Sequence, residues 1–189
     1  NAKEWFVFVK LEMIITQTPF RMSFFGGGTD MESFFRENGG AVLSTTFDKY
    51  CYVNVRHLPR FFDYSTELSY SKTERVTDIN DIQHPAIREA MKMLDMREIR
   101  LTYEADLPAR SGLGTSSSFA VGMLNAFYAL KGKYADKKKL ADEAIYLERV
   151  LCNESGGWQD QIAASFGGFN RINFNSDGYE VLPVIISPE

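Results

Sequence analysis

The sequence predicts an α+β domain in which helices pack against a mixed sheet. Some segments alternate apolar and polar residues with the two-residue period of a half-buried strand, and others repeat apolar residues at helical spacing. These segments follow one another without a regular strand–helix–strand rhythm, which favours the α+β class over a parallel α/β fold. A chain of 189 residues, 44% of them hydrophobic, is also long enough to enclose its own core.

The first third of the chain predicts a strand, a loop, a helix and a second strand. The segment "MIITQTPF" (13–20) predicts a strand that Pro19 ends, because proline cannot donate to a strand ladder. "FFGGGTDMESFFRENGG" predicts a flexible glycine loop and then a short helix, which Gly39 and Gly40 close. Residues 41–58 are rich in β-branched and aromatic residues and predict the second strand.

The later elements are predicted from residues that typically begin helices as well as from the periodicity of apolar residues. Pro85 stands at the first position of one predicted helix, and Asp136 is placed to cap another. The predicted segments are a helix at 84–95, a strand at 99–108, helices at 116–131 and 137–152, and closing strands that contain "RINF" and "YEVLPVII". Between the last helix and the closing strands we expect a glycine-rich turn.

Composition and charge exclude several classes of function. A net charge of -4 offers no basic surface for nucleic acid or an anionic membrane. The sequence has no apolar run near the ~18 residues that span a bilayer. Cys51 and Cys152 are too few and too far apart in sequence to indicate a disulfide or zinc framework. We therefore expect a cytoplasmic protein whose partners are small molecules, not nucleic acid or a membrane.

The stretch "PARSGLGTSSSFAVG" (108–122) gathers glycines and hydroxyls at a predicted helix start, directly after a strand. The first turn of a helix has unpaired N–H groups and a partial positive charge, so it is suited to binding phosphate. Gly112 and Gly114 allow the backbone to come close to such a ligand. The hydroxyls that follow are Thr115, Ser116, Ser117 and Ser118. An over-capped helix is the alternative, but this many hydroxyls favour phosphate binding; the pattern is neither a Walker A loop nor G-x-G-x-x-G.

This stretch resembles the P-x-x-x-G-L-G-S-S-A motif of the GHMP kinases, the superfamily named for galacto-, homoserine, mevalonate and phosphomevalonate kinases. Two more stretches resemble family motifs in the same order along the chain. "TPFRMSFFGGGTD" (18–30) is similar to the first motif, and "ERVLCNESGGWQDQ" (148–161) is similar to the segment with the magnesium glutamate and the catalytic aspartate. Three motifs in the right order make the resemblance specific.

The resemblance implies phosphoryl transfer from ATP to a sugar hydroxyl, with Mg²⁺ as cofactor. It implies that Asp160 orients or deprotonates the attacking hydroxyl, and that Arg21 lowers the charge near the phosphoryl group or steadies Asp160. The implied ligands of Mg²⁺ are Ser116 and Glu148. The implied phosphate-binding residues are Gly112, Leu113, Gly114, Thr115, Ser116 and Ser117. The implied substrate-binding residues are Arg21, Gly27, Gly28, Thr29, Asp30 and Gly157.

The two carboxylates also have simpler interpretations. Glu148 lies on the predicted helix 137–152, about 60° from the centre of its apolar stripe if each residue advances 100°. It is therefore expected to face a cleft, and a solvated surface glutamate is the alternative. Asp160 alone would be interpreted as a capping residue in a turn, with Gly156 and Gly157 leaving room for substrate; the motif favours catalysis. The segment from Glu148 to Asp160 is one residue longer than in mevalonate kinases.

The expected substrate is indicated by a difference between this sequence and the galactokinase motif. Gly27 and Gly28 stand where galactokinases carry Glu-His, which argues against galactose. The first motif together with "GGAVLSTTFDKYCYV" and "GGWQDQIAASFGGFN" is most similar to bacterial D-glycero-D-manno-heptose 7-phosphate kinases, which phosphorylate the anomeric hydroxyl. The alternatives are a kinase for L-fucose or a uronic acid, and a non-catalytic fragment that binds nucleotide or sugar phosphate or packs with a partner.

The family fold sets an expectation for domain organisation. Residues 1–12 are predicted to be an N-terminal extension, and residues 13–189 a GHMP kinase N-terminal domain of the ribosomal-protein domain 2-like type. That fold implies a left-handed βαβ crossover, against the general rule. The family's glycine-rich third motif lies in a C-terminal domain and has no match after residue 168. We therefore expect a C-terminal domain or a partner chain to complete the protein.

Overall fold

The computed structural model describes residues 13–108 and 112–186, so the predicted extension 1–12 and part of the glycine-rich stretch lie outside the described residues. The strands are β1 (Ile14–Phe25), β2 (Gly40–His57), β3 (Thr66–Ser69), β4 (Thr73–Val76), β5 (Ile99–Ala105), β6 (Phe169–Asn175) and β7 (Gly178–Pro183). The helices are α1 (Glu32–Asn38), α2 (Pro85–Met93), α3 (Thr115–Leu130), α4 (Lys137–Ile145) and α5 (Gln159–Phe166), with a 3-10 turn at Ile79–Asp81 and a π-helical segment at Tyr146–Leu151.

The long strand β2 organises a mixed sheet. The sheet runs in the order β4-β3-β5-β2-β6-β7, and β1 also pairs with β2. Strand β5 is antiparallel to the second half of β2 and β6 to its first half, whereas β3 is parallel to β5. A sheet of this kind with five α-helices among the described residues confirms the predicted α+β class. No helix in this part of the chain is long and apolar enough to cross a membrane.

Strand β1 is longer than predicted. Pro19 does not end it: the strand passes through Pro19 and continues to Phe25. The pairing with β2 shifts register between Pro19 and Arg21 and again between Ser23 and Phe25, which accommodates a residue that cannot donate to the ladder. The prediction was wrong because a register shift tolerates proline within a strand. The extension places Arg21 on β1, where it reaches the start of α3.

Helix α3 lies directly on β1 because a glycine faces the strand. A Cβ atom at Gly122 would lie 2.6 Å from Thr18 Oγ1, which is closer than atoms normally approach. Thr16 Oγ1 donates a hydrogen bond to the Gly122 carbonyl at 2.9 Å. Both threonines are buried between the strand and the helix. The close approach holds the middle of α3 against β1.

Replacing Gly122 by alanine is therefore expected to destabilise the domain. Overpacking of this kind costs about 1–3 kcal/mol, against the roughly 1 kcal/mol gained when alanine replaces glycine within a helix. Urea unfolding measures the difference. In a Thr18→Ala background the clash is removed, so Gly122→Ala should become neutral or stabilising; an equal loss in both backgrounds would contradict the packing argument.

Two predictions about the second half of the chain need correction, and one hairpin was missed. The predicted helix 137–152 is α-helical only to Ile145 and then becomes π-helical, with Cys152 N donating to the Leu147 carbonyl at 2.9 Å. The expected glycine-rich turn contains a helix, α5. The hairpin of β3 and β4 was not predicted. Asp136 does cap α4 as predicted, since its Oδ1 accepts from Lys139 N at 2.7 Å.

Candidate active site

The hydroxyls that follow the glycine loop do not cap their own helix. Residue Gly114 precedes α3 in a left-handed conformation (φ 74°), and no side chain among the described residues caps the helix. Ser118 Oγ instead donates to the Pro19 carbonyl at 2.9 Å, which ties the first turn of α3 to β1. The over-capped helix considered from sequence is therefore absent, and the N-terminal amides of α3 remain suited to binding an anion.

Two of these hydroxyls hold a buried carboxylate. Glu148 is 1% exposed, and it accepts from Ser116 Oγ at 2.9 Å and from Ser117 Oγ at 2.7 Å. Gln161 Nε2 also donates to it, and the guanidinium of Arg149 lies 4.0 Å away. The solvated-surface alternative for Glu148 is wrong. The angle expected from a regular α-helix does not apply, because Glu148 lies in the π-helical segment.

The Ser116 and Glu148 pair suits a hard divalent cation. Both offer oxygen atoms, and a carboxylate next to a hydroxyl is typical of Mg²⁺ sites that also use phosphate and water. In the part of the chain that the structure describes, no group of three or more His, Cys, Asp or Glu residues could hold a metal. A cation held by Ser116 and Glu148 would complete its shell with phosphate and water. The residues fit the Mg²⁺ that the sequence implies.

The second carboxylate, Asp160, lies beside Gly114 at the end of the glycine loop. Arg21 Nε donates to Asp160 Oδ1 at 2.8 Å and Arg21 Nη2 lies 2.7 Å from the same oxygen. Arg21 Nη1 donates to the Gly112 carbonyl at 3.0 Å. A Cβ at Gly114 would lie 3.5 Å from Asp160 Oδ2. Asp160 thus lies beside the glycine loop, as the role implied by the resemblance requires.

The environment of Asp160 leaves one oxygen available. The side chains of Arg21 and Asp160 are 13% and 25% exposed, so the pair is partly shielded but open to a ligand. Both arginine contacts go to Oδ1, and within the described residues nothing donates to Oδ2. Asp160 lies in the first turn of α5, not in the turn expected from sequence. A helix holds a carboxylate more firmly than a turn does.

The first glycine loop folds tightly over the beginning of β2. Gly26 has φ 88°, and a Cβ there would lie 1.8 Å from the Ala41 carbonyl. Thr29 Oγ1 donates to the Gly26 carbonyl at 2.8 Å and accepts from Ala41 N at 3.1 Å, so this hydroxyl holds the loop in place. Around Gly27 and Gly28 there is open space: the nearest atom to a Cβ at Gly27 is 4.0 Å away, and none lies within 4 Å at Gly28.

Asp30 is buried at the end of this loop. It is 2% exposed; its Oδ1 accepts from Gly28 N at 3.0 Å and its Oδ2 from Gln159 N at 3.1 Å. A Cβ at Gly157 would lie 1.9 Å from Oδ2. One at Gly156 would lie 3.0 Å from the Arg149 guanidinium. Both glycines thus accommodate the protein's own side chains where the sequence suggested room for substrate.

Some residues of this site were not identified from sequence. Gln161 was quoted only as part of a motif, although it is fully buried and holds Glu148. Its position directly after Asp160 on a short helix was the available signal, but that helix was not predicted. The roles of Asp30 and Thr29 in tying loops together depend on contacts with α5 and β2 that sequence spacing does not indicate.

Comparisons with known proteins show similarity to a family of kinases. Residues 82–168 match the model of the GHMP kinases N terminal domain. The chain is 31% identical to a D-glycero-alpha-D-manno-heptose 7-phosphate kinase of Campylobacter jejuni, over 94% of this chain and 54% of the relative. It is 34% identical to an L-fucokinase/L-fucose-1-P guanylyltransferase of Bacteroides fragilis, over 46% of this chain and 9% of the relative.

A solved structure shows the same fold. The crystal structure of a D-glycero-D-manno-heptose 1-phosphate kinase from Bacteroides thetaiotaomicron superimposes with a TM-score of 0.80 at 25% identity, covering 92% of this chain and 60% of that one. The chain thus spans little more than half the length of these heptose phosphate kinases. The family match, the sequence identity and the shared fold together identify the chain as a GHMP kinase N-terminal domain.

Proposed function

We propose that the protein transfers the γ-phosphoryl group of ATP to a sugar phosphate, with the anomeric hydroxyl of D-glycero-D-manno-heptose 7-phosphate as acceptor. The observation that carries the proposal is that two carboxylates from distant parts of the chain meet the start of one helix. Glu148 accepts from hydroxyls in the first turn of α3, and Asp160 pairs with Arg21 beside Gly114. Phosphoryl transfer uses one group to hold the cation and another to orient or deprotonate the attacking hydroxyl.

The glycine loop and α3 bind the nucleotide's phosphates in this mechanism. No side chain at the N-cap Gly114 binds the amides at the start of α3 among the described residues, so these amides would bind the phosphate oxygens. Ser116 and Glu148 would hold Mg²⁺, which supplies charge neutralisation on the phosphates when it is bound. Ser117 and Gln161 keep the Glu148 carboxylate oriented toward Ser116.

Asp160 and Arg21 act on the sugar hydroxyl. Arg21 holds Oδ1 of Asp160, which leaves Oδ2 to accept the hydroxyl proton as the hydroxyl oxygen attacks the γ-phosphorus. The bond from phosphorus to the bridging oxygen breaks, ADP leaves with that electron pair, and the proton remains on Asp160. Arg21 also offsets the negative charge that approaches the carboxylate with the phosphoryl group.

Open space and relatives support a sugar phosphate as substrate. Among the described residues, no atom lies closer than 4.0 Å to a Cβ at Gly27 or Gly28, so these two positions leave space beside the loop for a substrate. The Campylobacter relative is named for heptose 7-phosphate, whereas the Bacteroides structure is named for a heptose 1-phosphate kinase. The names differ in the position of one phosphate but agree on the heptose. The fucokinase relative supports L-fucose as the second candidate.

A panel of acceptors tests the substrate. Intact protein is assayed for ADP release with ATP, Mg²⁺ and heptose 7-phosphate, L-fucose, a uronic acid or galactose. We expect heptose 7-phosphate to give the highest kcat/KM, by at least about tenfold, because one good polar contact is worth about 1.4 kcal/mol. A preference for L-fucose would favour the second candidate, and no turnover with any sugar would favour a non-catalytic binding domain.

Replacing Glu148 by glutamine is expected to weaken the Mg²⁺ dependence of nucleotide binding. The change keeps the shape and an acceptor for Ser117 but removes the charge, and the charge of oxygen ligands sets cation affinity. Calorimetry of ADP with and without Mg²⁺ measures the effect. The matched control is Glu143→Gln on α4, whose carboxylate accepts from Tyr128. Equal Mg²⁺ dependence in wild type and Glu148→Gln would contradict the cation site.

A further inference from the structure

The N-terminus of α5 carries Asp160 but is not capped by its own sequence. Trp158 is the residue at its N-cap, and it makes no side-chain hydrogen bond to the helix. An eight-residue helix is marginal without capping, because its first amides lack partners. Something else must hold the first turn if Asp160 is to keep a fixed position.

Asp30 supplies that cap from a distant part of the chain. Its Oδ2 accepts from Gln159 N at 3.1 Å, and its backbone carbonyl accepts from Trp158 N at 3.2 Å. A carboxylate at a helix N-terminus also interacts favourably with the helix dipole. Two successive amides at the start of α5 are therefore bound by one residue of the first glycine loop.

The same carboxylate organises the loop from which it comes. Oδ1 accepts from Gly28 N at 3.0 Å, two residues earlier in the chain. Gly28 has φ 92°, a conformation that glycine adopts without strain. The two oxygens of Asp30 thus have different roles, since one holds the loop beside the open space at Gly27 and Gly28 and the other holds the helix of Asp160.

We propose that Asp30 is a positioning residue that couples the sugar-side glycine loop to Asp160, and that it makes no contact with the sugar. This inference rests on the proposed kinase function. With 2% exposure and both oxygens bound to backbone amides, the side chain presents no atom to a substrate. Gly157 is part of the same arrangement, because any Cβ there would displace the carboxylate from Gln159 N. The resemblance to galactokinases instead implies a sugar contact for this aspartate.

Asp30→Asn in the intact protein tests the proposal. Asparagine has the same shape, but its amide group turns an N–H toward a backbone N–H, so one of the two contacts is lost. We expect faster amide exchange at Gly28 and at Gln159–Gln161, and a fall in kcat of about 10–100-fold with little change in the sugar KM. Asp177→Asn, at an exposed turn, is the control and should change neither amide exchange at these positions nor kcat.

A direct sugar contact predicts a different result. In that case Asp30→Asn would raise the sugar KM, leave kcat near the wild-type value and leave exchange at α5 unchanged, and this outcome would overturn the proposal. Amide exchange can be measured whether or not the protein phosphorylates a substrate. If the wild-type protein phosphorylates no sugar, the proposed function fails, but faster exchange in Asp30→Asn would still support the capping role and unchanged exchange would overturn it.

A double-mutant cycle with Gly157→Ala adds a second measurement. Gly157 lies outside the left-handed region, so alanine brings no backbone strain, and the three nearest atoms to its Cβ all belong to Asp30. Gly157→Ala alone should lower kcat as Asp30→Asn does. In an Asp30→Ala background, Gly157→Ala should cause no further loss of kcat, because the carboxylate with which its Cβ would clash is gone. Additive losses would show that Gly157 acts independently of Asp30 and would overturn the coupling.

Discussion

Asp160→Asn is expected to lower kcat by about 10²–10⁴-fold, the usual contribution of a general base, while nucleotide affinity stays unchanged. Asparagine can still accept from Arg21 Nε through its oxygen, so the position of the side chain is preserved. What is lost is the charge and the proton acceptor at Oδ2. Single-turnover rates measure the chemical step, and calorimetry with ADP and Mg²⁺ measures binding.

The control for this variant is Asp142→Asn. Asp142 also pairs with a cation, Lys138, at 2.6 Å, but it lies on α4 away from the glycine loop. Asp142→Asn should leave both the single-turnover rate and the affinity for ADP and Mg²⁺ at the wild-type value. If Asp160→Asn kept kcat within tenfold of wild type, its role would be electrostatic or structural, and another group would have to accept the proton.

Gly114→Val is expected to abolish detectable nucleotide binding. Gly114 adopts φ 74°, which a β-branched residue tolerates poorly, and the new side chain would lie 3.2 Å from Arg21 Cγ and close to Asp160 Oδ2. The side chain would also occupy the space through which phosphate approaches the start of α3. Calorimetry with ADP and Mg²⁺ measures the loss.

Gly132→Val separates backbone strain from lost binding. Gly132 has a similar φ of 66° at the turn after α3, and no atom lies within 4 Å of its Cβ position. Both valines should lower the unfolding free energy, since each forces a β-branched residue into the left-handed region, and Gly114→Val should lower it more because its Cβ also crowds Arg21. Only Gly114→Val should lose nucleotide. Equal nucleotide affinity in the two variants would mean that phosphate does not approach Gly114.

The periodic elements could be predicted because their signals are local. The alternation in residues 99–105 and the helical spacing in residues 115–130 depend on a few neighbouring positions, and both elements formed near the predicted bounds. Asp136 caps α4 from within its own turn, so its role could be predicted too. Strand β1 was misjudged at Pro19 because the register shift that tolerates proline needs β2 as a partner.

Helix α5 was missed for a related reason. Its first amides are bound by Asp30, which is 129 residues from Gln159 in sequence, and no pattern within the segment indicates that cap. A short helix without a local cap has weak intrinsic stability. Its formation depends on a contact that exists only after the first glycine loop has folded over β2.

The kinds of chemistry at the site can be recognised in the order of residues along the chain. Glycines beside hydroxyls at a helix start indicate phosphate, and the motif order indicates a kinase of the GHMP type, because these signals lie within short segments. Whether a carboxylate is buried or available depends on long-range contacts. The hydroxyls of α3 and the π-helical segment bury Glu148, while both contacts from Arg21 go to one oxygen of Asp160. Folding alone brings those partners together, because each comes from a distant strand or helix.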